Sequence, residues 1–163
     1  MINTKKTDFR VLRFGTGSDV IREAQRIAAA DHAGALRRSG NWTAGQVFGH
    51  LATWIEFALD GYPPNVQPPA PLKFILKFMK GKFVRGPMPR GVRIPGFNDG
   101  TLGVEPMPTD AALDRLRRAW ERLMSTAPTV PNPIFGLLFH DDWIKMNLRH
   151  AELHMGYLHP PEK

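Results

Sequence analysis

The sequence predicts an all-α protein, an up-down four-helix bundle with a long crossover connection after the second helix, in a single domain spanning 1–163. Three observations lead there. Four segments carry apolar residues at helical spacing, and little of the chain alternates in the manner of a strand. Ten of the 15 prolines fall between Gly61 and Pro108, where they forbid a continuous helix and an interior strand alike. A chain of 163 residues is long enough to bury one full hydrophobic core without covalent staples.

Thr7 to Phe14 reads as a short extended segment ahead of the first helix. Ser18 is the expected N-cap, and Val20, Ile21, Ala24, Ile27 and Ala28 follow at helical spacing. This helix is expected to run to Arg37 or Arg38 and to stop near Gly40. The second helix starts at Thr43, whose pairing with Gln46 fits a capping box. Its stripe is Val47, His50, Leu51, Trp54 and Ala58, apolar except for His50, and Gly61 with Pro63 and Pro64 ends it. The irregular crossover, 61–108, holds one amphipathic island, Leu72 to Val84, which predicts a short helix. A loop of this length in a compact domain tends to carry function.

The third long helix begins near Thr109 and Asp110, follows Ala112, Leu113, Leu116, Ala119, Trp120 and Leu123, and ends before Pro128. The proline-rich connector 128–133 is expected to be extended. Asp141 or Asp142 is expected to cap the last helix, where an acid suits the positive end of the dipole. Gly156, Pro160 and Pro161 close it.

There is no cysteine, so disulfides, thiolate ligands and a cysteine nucleophile are all excluded. Any metal must be held by nitrogen or oxygen, and any thiol chemistry needs an external thiol. No apolar run reaches the length of a membrane span, and the N-terminus lacks the pattern of a secretory leader. The expected location is therefore the cytoplasm. Between Gly61 and Pro108 seven Lys/Arg stand against two acids, which is +5 of the chain's +7. That concentration favours an anionic partner, nucleic acid or a membrane surface, unless it is simply a solvated face.

The residues that carry chemistry are histidines. His150 and His154 are four apart, one turn apart on one face of the last helix, a spacing suited to two imidazoles on one metal ion. His50 sits on the apolar stripe of the second helix, and the three are expected to converge. A lone histidine on such a stripe is usually a hydrogen-bonded core residue. A buried pair is harder to satisfy, since each unmet ring nitrogen costs about 1–3 kcal/mol. Three neutral imidazoles leave a divalent ion its full charge and an open position. With no cysteine, zinc, nickel, manganese and iron all stay open; nitrogen ligands favour nickel, copper and zinc over manganese, and zinc or nickel is the expected ion. Asn147, Tyr157 and Asp31 are the residues expected to orient the free ring nitrogens. His32, His140 and His159 are expected at the surface. No carboxylate stands in an H-E-x-x-H pattern, which weighs against a peptidase.

Two blocks, Asn41-Trp42-Thr43-Ala44-Gly45-Gln46-Val47-Phe48-Gly49-His50-Leu51 and Arg149-His150-Ala151-Glu152-Leu153-His154, resemble the matching blocks of the DinB/YfiT-like metal-binding four-helix bundles. Arg10-Val11-Leu12-Arg13-Phe14 and Asn132-Pro133-Ile134-Phe135-Gly136 resemble an uncharacterised branch of that superfamily. The resemblance implies a three-histidine divalent site at His50, His150 and His154 and a homodimer. Some members of that superfamily are transferases or isomerases that use a small cellular thiol. Leu153 stands where a further histidine is common, and Tyr157 where a glutamine is common, so the substrate pocket is expected to differ.

Three functions follow. One is a metal-dependent enzyme on a small-molecule substrate, a thiol S-transferase or a hydrolase. Another is a binding protein that grips an anionic partner through the basic 72–93 segment. The last is a bundle in which metal only pins two helices together.

Overall fold

The computed structural model describes residues 2–64, 66, 80–92 and 101–162. Its elements in chain order are α1 (Gly17–His32), β1 (Arg37–Arg38), α2 (Ala44–Asp60), α3 (Lys80–Arg85), α4 (Thr109–Ser125), α5 (His140–Met155) and β2 (Leu158–His159). Among the described residues the fold is helical apart from β1 and β2, which pair antiparallel with Arg37 opposite His159. Among the described residues no helix is long and apolar enough to cross a membrane. The predicted island at 72–84 is helical from Lys80, and 72–79 lie outside the described residues.

One continuous core joins the four long helices. Val20, Ala24 and Ile27 enter it from α1, Phe48, Leu51 and Ile55 from α2, Leu116, Trp120 and Leu123 from α4, and Trp143, Leu148 and Met155 from α5. Each large apolar side chain fully buried in this way contributes about 1.5–3 kcal/mol. The tightest junction is between α2 and the approach to α4. A Cβ at Gly45 would stand 1.9 Å from the Met107 carbonyl oxygen, so only glycine lets these backbones meet.

Three expected boundaries are corrected. The first helix is capped by Thr16, not Ser18, in a capping box with Asp19. Such a box needs a side-chain acceptor three residues on, and Ser18 has Ile21 there. The same helix ends at His32 rather than Arg37 or Arg38, because Gly34 turns left-handed with φ 65°. The last helix starts at His140 with Phe139 as N-cap, and neither Asp141 nor Asp142 caps it. Both acids have better partners: Asp141 bonds Lys145, and Asp142 pairs with Lys80 of α3 at 2.8 Å. The capping box of Thr43 and Gln46 and the stop at Gly61, φ 115°, stand as predicted.

The N-terminal segment lies along the end of α5. Arg10 N–H donates to Gly156 O at 2.8 Å, and a Cβ on Gly156 would strike the Phe9 ring at 2.4 Å. Phe14 N–H donates to the buried Glu152 carboxylate at 2.6 Å, while the Arg149 guanidinium donates to Phe14 O and pairs with Glu152 at 2.8 Å.

Candidate metal centre

The facing stripes of α2 and α5 bring His50, His150 and His154 together, with one ring nitrogen of each inside a group no wider than 4.8 Å. His50 Nε2 lies 3.1 Å from His150 Nε2. The three ring centroids are 4.5–4.9 Å apart and the rings stand at 70° to 81° to one another. They therefore meet steeply inclined, edge towards face, and not face to face as in a stack. Two tryptophans brace them. Trp42 stacks on His154 at 5.0 Å and 18°, and Trp54 presents its edge to His150 at 6.2 Å.

The tautomer of His50 is set by a backbone atom. His50 Nδ1 is 2.7 Å from Leu102 O, and a carbonyl can only accept, so Nδ1 carries the proton. That leaves the Nε2 lone pair directed at the other two imidazoles. The carbonyl is placed by a match of spacings. Gln46 Nε2–H donates to Val104 O at 2.8 Å, so residues one helical turn apart on α2 receive carbonyls two residues apart on the crossover. Two extended residues and one helical turn both span about 5–7 Å. Gly103, φ 74°, lies between those carbonyls, and a Cβ there would sit 2.7 Å from Thr53.

The residues expected to orient the rings are placed otherwise. Asn147 lines the cavity beside the histidines, but its amide donates to Trp143 O at 2.9 Å. Tyr157 also lines it, with its hydroxyl donating to Thr4 O at 3.1 Å. Asp31 accepts from Thr109 Oγ1 at 2.6 Å, between α1 and α4, and does not line the cavity. Among the described residues no carboxylate joins the three histidines. Glu56 is committed to Arg115 and Glu152 to Arg149.

Burial pulls the His50 imidazole down to about 4, with the Leu102 carbonyl acting in the opposite direction. His150 and His154 are held well below the ordinary imidazole range, first by burial and then by the neighbouring histidines. At neutral pH all three rings are therefore neutral, the form that binds metal. A stability prediction follows for metal-free protein. In the unfolded chain these groups take up protons near 6.5, while folded His50 waits until about 4. Between those values the unfolded state binds more protons, so stability falls as pH falls, with His50 alone accounting for on the order of 3 kcal/mol across the window. Urea unfolding at pH 7 and pH 5 checks it, and stability that is flat or rises on acidification contradicts it.

Of the other histidines, His32 is exposed as expected, while His140 and His159 are half-buried. His140 Nε2–H caps the end of α4 by donating to Leu123 O, and the His159 side chain is only 10% exposed. His159 stands near Ser39 and Asp8, an arrangement that superficially suggests a hydrolase triad. The hydrogen bonds exclude it. Arg37 donates to His159 Nδ1 at 3.0 Å, so Nε2 carries the proton and donates to Ser39 Oγ at 2.9 Å, while the serine donates to Asp8 O at 2.7 Å. A general base needs that Nε2 free to accept. The cluster is a lock joining β1, β2 and the N-terminal segment.

The three clustered histidines form part of the wall of a cavity of about 1260 Å³. Its wall is drawn from α2, α5, the N-terminal residues and the crossover. The profile of the family described as "Protein of unknown function (DUF1569)" matches residues 6–161, and the chain belongs to that family. No curated protein and no solved structure matches the chain.

Proposed function

We propose that this DUF1569 protein is a metal-dependent enzyme built as a DinB-like four-helix bundle, in which His50, His150 and His154 hold one divalent cation, zinc or nickel. We assign it the transfer of a small external thiol to an electrophilic acceptor, and we expect it to act as a homodimer. The observation that carries this reading is the convergence of three neutral imidazoles, from opposite ends of the chain, within 4.8 Å at the wall of a large cavity.

The donor set fits. Nitrogen–metal distances of about 2.0–2.1 Å in a tetrahedron put ligand nitrogens about 3.3–3.4 Å apart. The 3.1 Å between His50 and His150 needs only a small adjustment to reach that. Three protein ligands leave one position for substrate, as catalytic sites require. The cation would supply Lewis acidity, favouring the deprotonated form of a bound thiol or water near neutral pH.

The chain's own residues supply the rest. Leu102 O holds the His50 lone pair in place, and Trp42 and Trp54 hold the ring planes. With no cysteine in the chain, the sulfur nucleophile comes from the co-substrate. In the transfer, the thiol S–H is lost with its proton passing to solvent, an S–C bond forms at the acceptor, and the leaving group departs with its electron pair. A volume of about 1260 Å³ exceeds the roughly 300–1,000 Å³ of a single-ligand site and suits two co-substrates.

The alternative, an anionic partner on the basic 72–93 segment, has less support. Lys80 is paired with Asp142, and Arg90 donates to Lys5 O at 2.9 Å and lies over the Phe9 ring at 4.9 Å. These cations hold the fold together. Lys82 and Arg85 are exposed, and Lys73, Lys77 and Arg93 lie outside the described residues. The test is turnover of an electrophilic aryl halide by zinc- or nickel-loaded protein with a panel of low-molecular-weight thiols. Thiol-dependent turnover that disappears in His150→Ala is expected, and equal turnover by that variant rules the reading out.

A further inference from the structure

The charges and amides around the cavity narrow what it takes. Among its described lining residues only Lys5 and Glu105 are charged, and both are exposed at the rim. The rest of the wall is dominated by rings and aliphatic groups, including Trp42, Trp54, Phe83 and Phe135. In metal-free protein, a phosphate or a carboxylate buried against the described part of this wall would lose its hydration and find no cation beyond Lys5 at the rim.

The side-chain amide oxygens are nearly all spent, that of Asn3 on the Lys5 N–H. Asn41 exchanges two hydrogen bonds with the Ile2 backbone, and Gln46 serves Thr43 and Val104. Asn132 Oδ1 accepts from Ile134 and Phe135. Asn147 differs. Its nitrogen is identified by the Trp143 carbonyl it donates to, so its other terminal atom is the oxygen, and Oδ1 has no hydrogen-bond partner among the described residues. Asn147 is one turn before His150 on the helix and 6% exposed.

We propose that the cavity takes an uncharged, largely apolar acceptor bearing an N–H or O–H donor, and that Asn147 Oδ1 accepts a hydrogen bond from it and sets its position relative to the histidines. This rests on the reading of the cavity as the substrate site and specifies the chemical class of the second substrate. It makes Asn147 a specificity-determining residue, without a part in holding metal.

Calorimetric titration of chelator-treated protein with 2-naphthamide, N,N-dimethyl-2-naphthamide and 2-naphthyl phosphate tests this without reference to turnover or to an ion. The expected order is 2-naphthamide first, the dimethyl compound about tenfold weaker for want of an N–H donor, and the dianion weaker still. Asn147→Leu should weaken 2-naphthamide by about tenfold and leave the dimethyl compound unchanged. Phosphate binding as tight as amide binding overturns the proposal, and so does wild-type indifference to N-methylation, which needs no folded variant. Metal uptake by the same sample, measured separately, shows whether the function proposed above fails independently of this one.

Discussion

His150→Ala lowers divalent-cation affinity by roughly a hundred- to a thousandfold. A four-ligand zinc site supplies about 10–16 kcal/mol in total, so one ligand is worth roughly 3–4 kcal/mol. The variant loses more than a proposed ligand. His50 Nε2, 3.1 Å away, is left with its lone pair facing a gap, and Trp54 loses one of the rings it packs against. Because a cation that binds only the folded chain stabilises it by mass action, excess zinc should raise the wild-type melting temperature and leave the variant nearly unmoved. Calorimetric titration with zinc and with nickel, beside thermal melts, checks both parts. Unchanged affinity in the variant would mean that the ion sits elsewhere.

Arg149→Ala destabilises the protein by about 3–5 kcal/mol, although its neighbour in sequence is a proposed ligand and it touches no metal. Its guanidinium is 6% exposed, pairs with Glu152 at 2.8 Å and donates to Phe14 O. Removing it strands a buried carboxylate whose remaining partners are the Phe14 N–H and a distant Arg13 at 3.6 Å. Replacing both members, Arg149→Met with Glu152→Leu, should recover most of the loss, since no buried charge then remains. The effect reaches the site through the N-terminal segment: Phe14 is anchored here, and Ile2, Thr4 and Lys5 line the cavity. Urea midpoints of the three variants decide it. An Arg149→Ala protein within 1 kcal/mol of wild type, a rough threshold, would show that the pair is not what holds the segment down.

The parts of the fold that were legible in the sequence are those specified locally. Thr43 with Gln46, Gly61 before two prolines, and the i, i+4 histidines all act within one turn of chain. The start of α1 was legible too, but only by weighing Asp19 at three residues after Thr16, and Gly34 announced the end that Gly40 was expected to mark. The last helix shows the limit. Asp142 has the chemistry of a cap, yet Lys80, which precedes it by more than sixty positions, offers the stronger partner. Strands of two residues, Arg37–Arg38 and Leu158–His159, are too short to carry a period.

The candidate site divides along the same line. His50, His150 and His154 declared themselves through helical stripes. The group that orients His50 is a carbonyl, and any residue at position 102 supplies one, so no side-chain pattern could single it out. Only Gly103, φ 74°, left a trace in the composition. Asn147 was singled out for the right stripe and the wrong task, because its amide nitrogen is taken by the carbonyl one turn back.

X-ray absorption at the zinc or nickel edge of metal-loaded protein, with the bound metal quantified, probes the coordination of a single cation by three imidazoles most directly. One ion per chain is expected, with three histidine nitrogens at about 2.0–2.1 Å and one lighter exchangeable ligand. A substoichiometric ion in an all-oxygen shell, or a spectrum unaltered when His50, His150 and His154 are all replaced, would contradict it.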